Sequence, residues 1–166
     1  MCEKPYAAVF AERLATPLGL RQTYIYADTS GRLPADILYK GRPLSIPMAM
    51  SSFGPDGGAV STAAETVIFL KAFFEGRSFP KAYLSEIGAT WNNIFFPMDY
   101  GVGIMRFKLP RWLSPFRPMP TFVGHSGLSG AFAFYCPERD LYLSGTVNRL
   151  DAPRTSFRLM LKVAEE

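Results

Sequence analysis

The single histidine of the chain, His125, lies in the segment GHSGLSG, among small residues and between two apolar runs. A histidine beside a serine can orient a proton relay, and a neighbouring glycine leaves room for a bound molecule. The same residues can also form a tight turn at the end of a strand, since small polar residues and glycine dominate turns. The local sequence therefore leaves two interpretations, a surface turn and one wall of an active site.

Other residue types that support metal or redox chemistry are scarce. Cys2 and Cys136 are too few and too far apart for a disulfide framework or a paired-cysteine metal site. Cys136 ends an apolar run, which predicts a buried, inert thiol. One histidine leaves almost no ligands for zinc, so we expect neither a metal nor a cofactor. The 18 basic and 14 acidic residues are scattered along the chain, and this argues against nucleic-acid binding.

The elements that must position these residues change in character near Tyr100. Residues 1–99 are predicted to be mostly helix and loop. The segment EKPYAAVFAERLATPLGL predicts a first helix, stopped by Pro17 and Gly19. Between residues 81 and 99 we expect a short helix and an irregular stretch.

A second helix has the clearest start signal in the sequence. Thr62 and Glu65 form a capping box, in which each side chain can bond the other residue's backbone amide. The apolar run VIFLKAFF follows, so we expect a largely buried helix that ends near Gly76.

Residues 100–166 are typical of strands followed by one helix. The runs YGVGIMRF, TFVG, AFAFYC and LYLSGTV are rich in β-branched and aromatic residues, and PERD predicts a hairpin turn between the last two. A helix is expected from Pro153 to Ala164. Helices followed by antiparallel strands predict an α+β fold in one domain, residues 1–166.

Neither a membrane span nor a signal peptide is evident in the sequence. The compartment stays open: cytoplasmic if Met1 is the natural start, and periplasmic or secreted if the chain is truncated.

The motifs occur in a recognisable order: PLGL with Thr23, GGAVSTAAE, YGVG, and then GHSGLSGAFAFY-PERD-LYLSGTVNR. Over nearly its whole length the chain resembles the C-terminal part of serine hydrolases of the penicillin-binding-protein and class C β-lactamase family. That family includes esterases and D-aminopeptidases. The resemblance implies an antiparallel sheet of the β-lactamase/transpeptidase-like fold with flanking helices. It would be incomplete here, without the N-terminal strands and the nucleophile helix.

The resemblance also assigns site residues. His125, Ser126 and Gly127 match a Lys/His-Ser/Thr-Gly triplet on the strand that borders the active site. It implies that the Leu128 backbone N–H donates to the oxyanion and that Ser126 offers its hydroxyl to the substrate or a proton relay. His125 would orient that relay and add a positive charge only when protonated. Gly127 would let the substrate lie against the strand. The implied substrate is a small molecule with an ester, amide or β-lactam bond, which is hydrolysed through an acyl-enzyme.

The chain departs from the family pattern at the nucleophile. The family needs a Ser-x-x-Lys at a helix N-terminus and a Tyr-x-Asn or Ser-x-Asn element, and both normally precede this region. No Tyr-x-Asn occurs in the chain. Ser78 and Lys81 match Ser-x-x-Lys, but the match falls in a predicted loop, and we interpret it as coincidence. We expect a C-terminal fragment that supplies the His-Ser-Gly strand and is inactive alone. The alternative is a non-catalytic binding or interaction domain that reuses the scaffold.

The loop before the His125 strand also leads to a prediction. The loop LPRWLSPFRPMP precedes the His125 strand and is predicted to form a rim of the site. Trp112 and Phe116 in it could line an acyl pocket, or could pack as the core of the loop.

Without the family's N-terminal strands, residues 141–147 would be an unpaired edge without charges or proline, so we expect a homo-oligomer joined through that edge.

Overall fold

The structure, a computed structural model, describes residues 4–110, 112 and 119–165. Cys2 and Phe116 lie outside the described residues. The elements before the main sheet are, in chain order, α1 (Tyr6–Phe10), β1 (Tyr24–Ile25), β2 (Leu38–Tyr39), β3 (Arg42–Pro43), α2 (Pro47–Ser52), β4 (Ala59–Val60), α3 (Ala63–Phe74) and α4 (Ala82–Ile87). A π-helical turn, Ala11–Ala15, extends α1 and so confirms the predicted first helix. Strand β1 pairs with β4, and β2 with β3, in two small antiparallel sheets.

The start of α3 confirms only one half of the predicted capping box. Thr62 Oγ1 accepts a hydrogen bond from the Glu65 backbone N–H at 3.2 Å. The Glu65 carboxylate, however, accepts from the backbone N–H groups of Arg21 and Gln22 and from the Thr23 hydroxyl, at 2.9, 3.0 and 2.6 Å. The hydrogen bond from Thr23, with help from the backbone donors, lowers the pKa of Glu65. The carboxylate thus ties the start of α3 to a loop more than 40 residues earlier in the chain.

Helix α3 ends just before Gly76, as predicted, but the expectation that it is largely buried is wrong. Leu70 and Ala72 are its buried residues, whereas Ile68 keeps 42% of its surface exposed. Its main packing is against the last two strands of the main sheet, which is described next.

The main sheet is antiparallel, and in the described chain it has six strands. They are β5 (Asn92–Phe95), β6 (Met98–Tyr100), β7 (Met105–Phe107), β8 (Phe122–Ser126), β9 (Phe132–Cys136) and β10 (Leu141–Gly145). Each strand pairs with the next one along the chain, which leaves β5 and β10 at the two edges.

Two of the sequence expectations for this region are wrong. The stretch expected to be irregular after α4 is the β5–β6 hairpin. The run YGVGIMRF is not one strand, because the Gly101 N–H donates to the Ile104 carbonyl at 2.8 Å and turns the chain between β6 and β7. This turn allows Tyr100 and Met105 to face each other in the sheet register.

The core lies between the sheet and the C-terminal helix α5 (Pro153–Glu165), which confirms the predicted closing helix. Phe122, Phe134 and Met160 are fully buried there. Cys136 is also buried, as predicted, and this burial raises the pKa of its thiol. The predicted PERD hairpin is confirmed as a 3-10 turn, Pro137–Arg139, followed by Asp140 in the left-handed conformation. The α+β prediction with an antiparallel sheet is therefore confirmed.

Strand β10 is shorter than the predicted 141–147 and ends at Gly145. In the described part of the chain it pairs with β9 alone among the named strands. Beyond it, the Asn148 carbonyl accepts from the Leu38 N–H at 2.7 Å, so the connection to α5 is held against β2. No helix of the described residues is long and apolar enough to cross a membrane.

Candidate active site

Strand β8 carries the first two residues of the His-Ser-Gly triplet. Side chains alternate between its two faces, so that Gly124 is buried towards the core and His125 is exposed on the opposite face. The turn starts only after the triplet's serine: the Gly127 N–H donates to Ala131 at 2.8 Å, and the Gly130 N–H donates to the Gly127 carbonyl at 3.0 Å. His125 is therefore a strand residue, and it pairs with Ala133 of β9.

The triplet lies where the sheet is open on one side. Strand β7 begins at Met105, which pairs with Gly124, so the β7–β8 ladder of the described chain stops there. On the other side, His125 and Ser126 continue to pair with β9. The last two residues of β8 therefore form a short edge within an otherwise paired sheet.

Tyr100 reaches this edge from the end of β6. Its hydroxyl lies 3.3 Å from His125 Nε2. The two rings meet edge to face, with their centroids 5.9 Å apart and their planes at 85°. Tyr100 lies in the YGVG motif, but nothing in the local sequence connects it to His125, 25 positions later.

The hydroxyl of Ser126 has a weak partner. It donates to the sulfur of Met105 at 3.4 Å. Because a thioether is a poor acceptor, little free energy is lost when this hydroxyl turns to a stronger acceptor. The serine can therefore serve a ligand at the open edge.

Gly124 and Gly127 lie on either side of His125 and Ser126, and a glycine suits each position for a different reason. A Cβ on Gly124 would overlap the carbonyl oxygen of Ala133 and lie 2.7 Å from the Phe134 Cα, both in the backbone of β9. A Cβ on Gly127 would meet only the Ala131 Cβ, at 3.9 Å. The fold therefore requires a glycine at 124, while the space beside 127 is open to a bound molecule.

An ion pair stabilises the two strands next to the triplet. Arg106 on β7 donates to Asp99 Oδ2 on β6 from Nε and Nη2, at 3.1 and 2.7 Å. The guanidinium also lies 4.4 Å from the centre of the Trp91 ring. The hydrogen bond from Arg106 lowers the pKa of Asp99. This cluster, which no local pattern of the sequence predicts, fixes the register of the strands that carry Tyr100 and Met105.

Leu128 and the rim-loop residue Trp112 are apolar and exposed. Leu128, in the turn after the triplet, leaves 79% of its surface in solvent, and Trp112 leaves 74%. Phe116, the other rim-loop residue expected to line a pocket or to pack within the loop, lies outside the described residues. No group of three or more potential metal-ligating acidic, histidine or cysteine side chains occurs among the residues described.

Ser78 and Lys81 do not share a helix. Helix α4 begins at Ala82, after both of them, and both side chains are exposed. A lysine that assists a Ser-x-x-Lys nucleophile lies one helical turn after it, and this loop does not provide that arrangement.

A family model for β-lactamases matches residues 3–164, nearly the whole chain. The chain belongs to the β-lactamase family. This confirms the family that the order of the motifs indicated.

Solved structures of a D-amino acid amidase from Ochrobactrum anthropi SV3 resemble this β-lactamase-family chain. One structure has a TM-score of 0.76 at 22% identity and covers 98% of this chain and 51% of that one. The complex with D-phenylalanine has a TM-score of 0.75 at 23% identity, with coverages of 98% and 54%. At this identity the likeness concerns the fold alone, and the chain spans about half the length of the amidase. A comparison with proteins of curated function gave no match.

Proposed function

We propose that this β-lactamase-family chain forms the His-Ser-Gly wall of a serine hydrolase site, and that the nucleophile lies outside residues 1–166. The enzyme would hydrolyse an amide, ester or β-lactam bond in a small molecule through an acyl-enzyme. The observation that carries the proposal is the exposed edge formed by His125, Ser126 and Gly127 at the open end of β8.

This edge suits an acyl substrate. An extended polar group can pair with a strand edge through backbone hydrogen bonds, and the ladder that would block such pairing stops at Gly124. A Cβ at Gly127 would meet only the Ala131 Cβ, at 3.9 Å, so the approach to the backbone there is open. The backbone N–H of Leu128 would help to stabilise the oxyanion, and the Ser126 hydroxyl would hydrogen-bond the substrate or a proton relay. Each of these roles uses a group within four consecutive residues.

Two observations support a nucleophile elsewhere. Ser78, the serine of the Ser-x-x-Lys match, lies in an exposed loop before α4. The amidase structures extend over about twice the length that this chain matches. An amide substrate agrees with what those relatives are named for, and it remains part of the proposal for this chain.

Covalent labelling tests the location of the nucleophile. Residues 1–166 and a longer polypeptide, translated in frame from the DNA upstream of the Met1 codon, are treated with a fluorophosphonate and with a fluorescent penicillin. We expect an adduct in the longer polypeptide, on the serine of an upstream Ser-x-x-Lys, and none in residues 1–166. An adduct on Ser78 would overturn this location. If neither polypeptide is labelled and no upstream motif exists, a non-catalytic binding domain is the better conclusion.

Variants of His125 test the wall itself in the longer polypeptide. We expect His125→Ala to lower kcat/KM by about 100-fold or more, the size of a typical acid–base contribution. His125→Lys keeps a hydrogen-bond donor and a charge there, and we expect it to stay within about tenfold of the parent protein. Thermal unfolding of each variant controls for folding. Unchanged kinetics in His125→Ala would remove the histidine from the site.

A further inference from the structure

Tyr100 lies within hydrogen-bonding distance of the only histidine in the sequence, 3.3 Å from its Nε2. We propose that Tyr100 is a positioning residue, which holds the His125 imidazole in one orientation and in one tautomer. This inference rests on the proposed function insofar as it concerns catalysis, while the contact itself can be tested without it.

The backbone of Tyr100 is well fixed. Strand β6 ends at this residue, opposite Met105 of β7. Directly after it, the Gly101 N–H donates to Ile104 at 2.8 Å and the Val102 N–H donates to Ile87, the last residue of α4, at 3.1 Å. The tyrosine therefore projects from a strand end that is tied to both a turn and a helix.

The neighbouring ion pair adds to this rigidity. Asp99, the residue before Tyr100, is held by Arg106, and Arg106 in turn stacks on Trp91. The side chains of both ions are about one quarter exposed, at 28% for Arg106 and 23% for Asp99. A partly buried pair with two hydrogen bonds constrains the register of β6 against β7 more than a fully solvated pair would. The hydroxyl is thus presented to His125 by a scaffold that does not depend on the ligand.

The chemistry of the two rings determines the direction of the hydrogen bond. A phenol O–H is a stronger donor than the N–H of a neutral imidazole, and an imidazole nitrogen is a stronger acceptor than a phenol oxygen. Tyr100 therefore donates to Nε2, and the neutral His125 carries its proton on Nδ1. The edge-to-face contact of the rings, with centroids 5.9 Å apart, restrains the imidazole plane as well. The Nδ1–H is then the donor that the ring offers to a substrate or relay.

Nuclear magnetic resonance of residues 1–166 tests the tautomer directly, because one histidine gives one set of imidazole signals. Long-range ¹H–¹⁵N spectra distinguish the Nδ1–H form from the Nε2–H form. We expect the Nδ1–H form to dominate in the parent chain and the Nε2–H form to gain population in Tyr100→Phe, which keeps the ring and loses the hydroxyl. Tyr83→Phe, a half-exposed tyrosine on α4, is the matched control and should leave the tautomer unchanged. A dominant Nε2–H form in the parent chain, or no change in Tyr100→Phe, would overturn the proposal.

Kinetics in the longer polypeptide separate positioning from a general structural effect. Tyr100→Phe should lower kcat about 3- to 10-fold, as expected for loss of one hydrogen bond, with KM nearly unchanged. In a His125→Ala background the same substitution should have no further effect, because a positioning residue acts only through its partner. Additive losses would contradict the proposal. If the tautomer responds as expected but His125→Ala keeps full activity, the proposed function fails while the hydrogen bond stands.

Discussion

Replacing Gly124 by alanine should destabilise the protein, whereas the same change at Gly127 should not. At 124 the new methyl group would overlap the Ala133 carbonyl oxygen and lie 2.7 Å from the Phe134 Cα and 2.9 Å from the Ala133 carbonyl carbon. All three atoms belong to the backbone of β9, so no side chain can rotate away. The β8–β9 ladder must separate locally at its centre.

The magnitude follows from three contributions. Overpacking of a tight site costs about 1–3 kcal/mol, and one or two weakened ladder hydrogen bonds add about 1 kcal/mol each. Alanine regains roughly 0.5–1 kcal/mol relative to glycine within a strand, because it has less conformational freedom to lose. The net loss is about 3 kcal/mol, which lowers the Tm by roughly 6–12 °C in a chain of this length.

Thermal or urea unfolding followed by circular dichroism measures this difference. Gly127→Ala is the matched control, since its methyl would meet only the Ala131 Cβ at 3.9 Å. We expect its stability to stay within about 0.5 kcal/mol of the parent chain. In the longer polypeptide the same variant should lose activity, because the methyl intrudes on the open edge. Equal stability of Gly124→Ala and the parent chain would refute the reasoning, as would equal losses in the two variants.

Three other predictions concern the termini of α3 and the sheet. Glu65→Gln should destabilise the protein at pH 7. Because folding lowers the pKa of Glu65, the stability that the parent chain has over this variant should be lost as the pH falls below the ordinary value of 4.5. Unfolding measured at several pH values tests this. Burial, with a contribution from Tyr135, raises the pKa of Tyr142 to about 12. An ultraviolet titration should therefore show one tyrosine that ionises only at this high pH, and this signal should be absent in Tyr142→Phe. Among the described strands β10 pairs only with β9, and its unpaired edge should make residues 1–166 self-associate. Light scattering should then show more than a monomer, and Ser144→Lys should lower the measured mass, whereas Leu143 is buried and unsuitable for this test.

Local sequence was sufficient for features that depend on backbone chemistry. The Thr62 cap, the PERD turn, helix α5 and the strand with the triplet were all predicted from residue type and spacing. The order of the motifs was sufficient for the family as well. Periodicity was less informative where the pattern is irregular, and so the β5–β6 hairpin and the turn within YGVGIMRF were missed.

The sequence by itself determined that His125, Ser126 and Gly127 are consecutive and match one motif, which predicts that they act together. Only the tertiary structure decided what surrounds them. Tyr100 meets His125 because the register of three strands brings together residues 25 positions apart. The Glu65 carboxylate does not complete its own helix cap, because three donors in a loop from much earlier in the chain bind it. Such partners are selected by packing and register between distant segments, which depend on the whole folded chain and leave no mark in any short stretch of it.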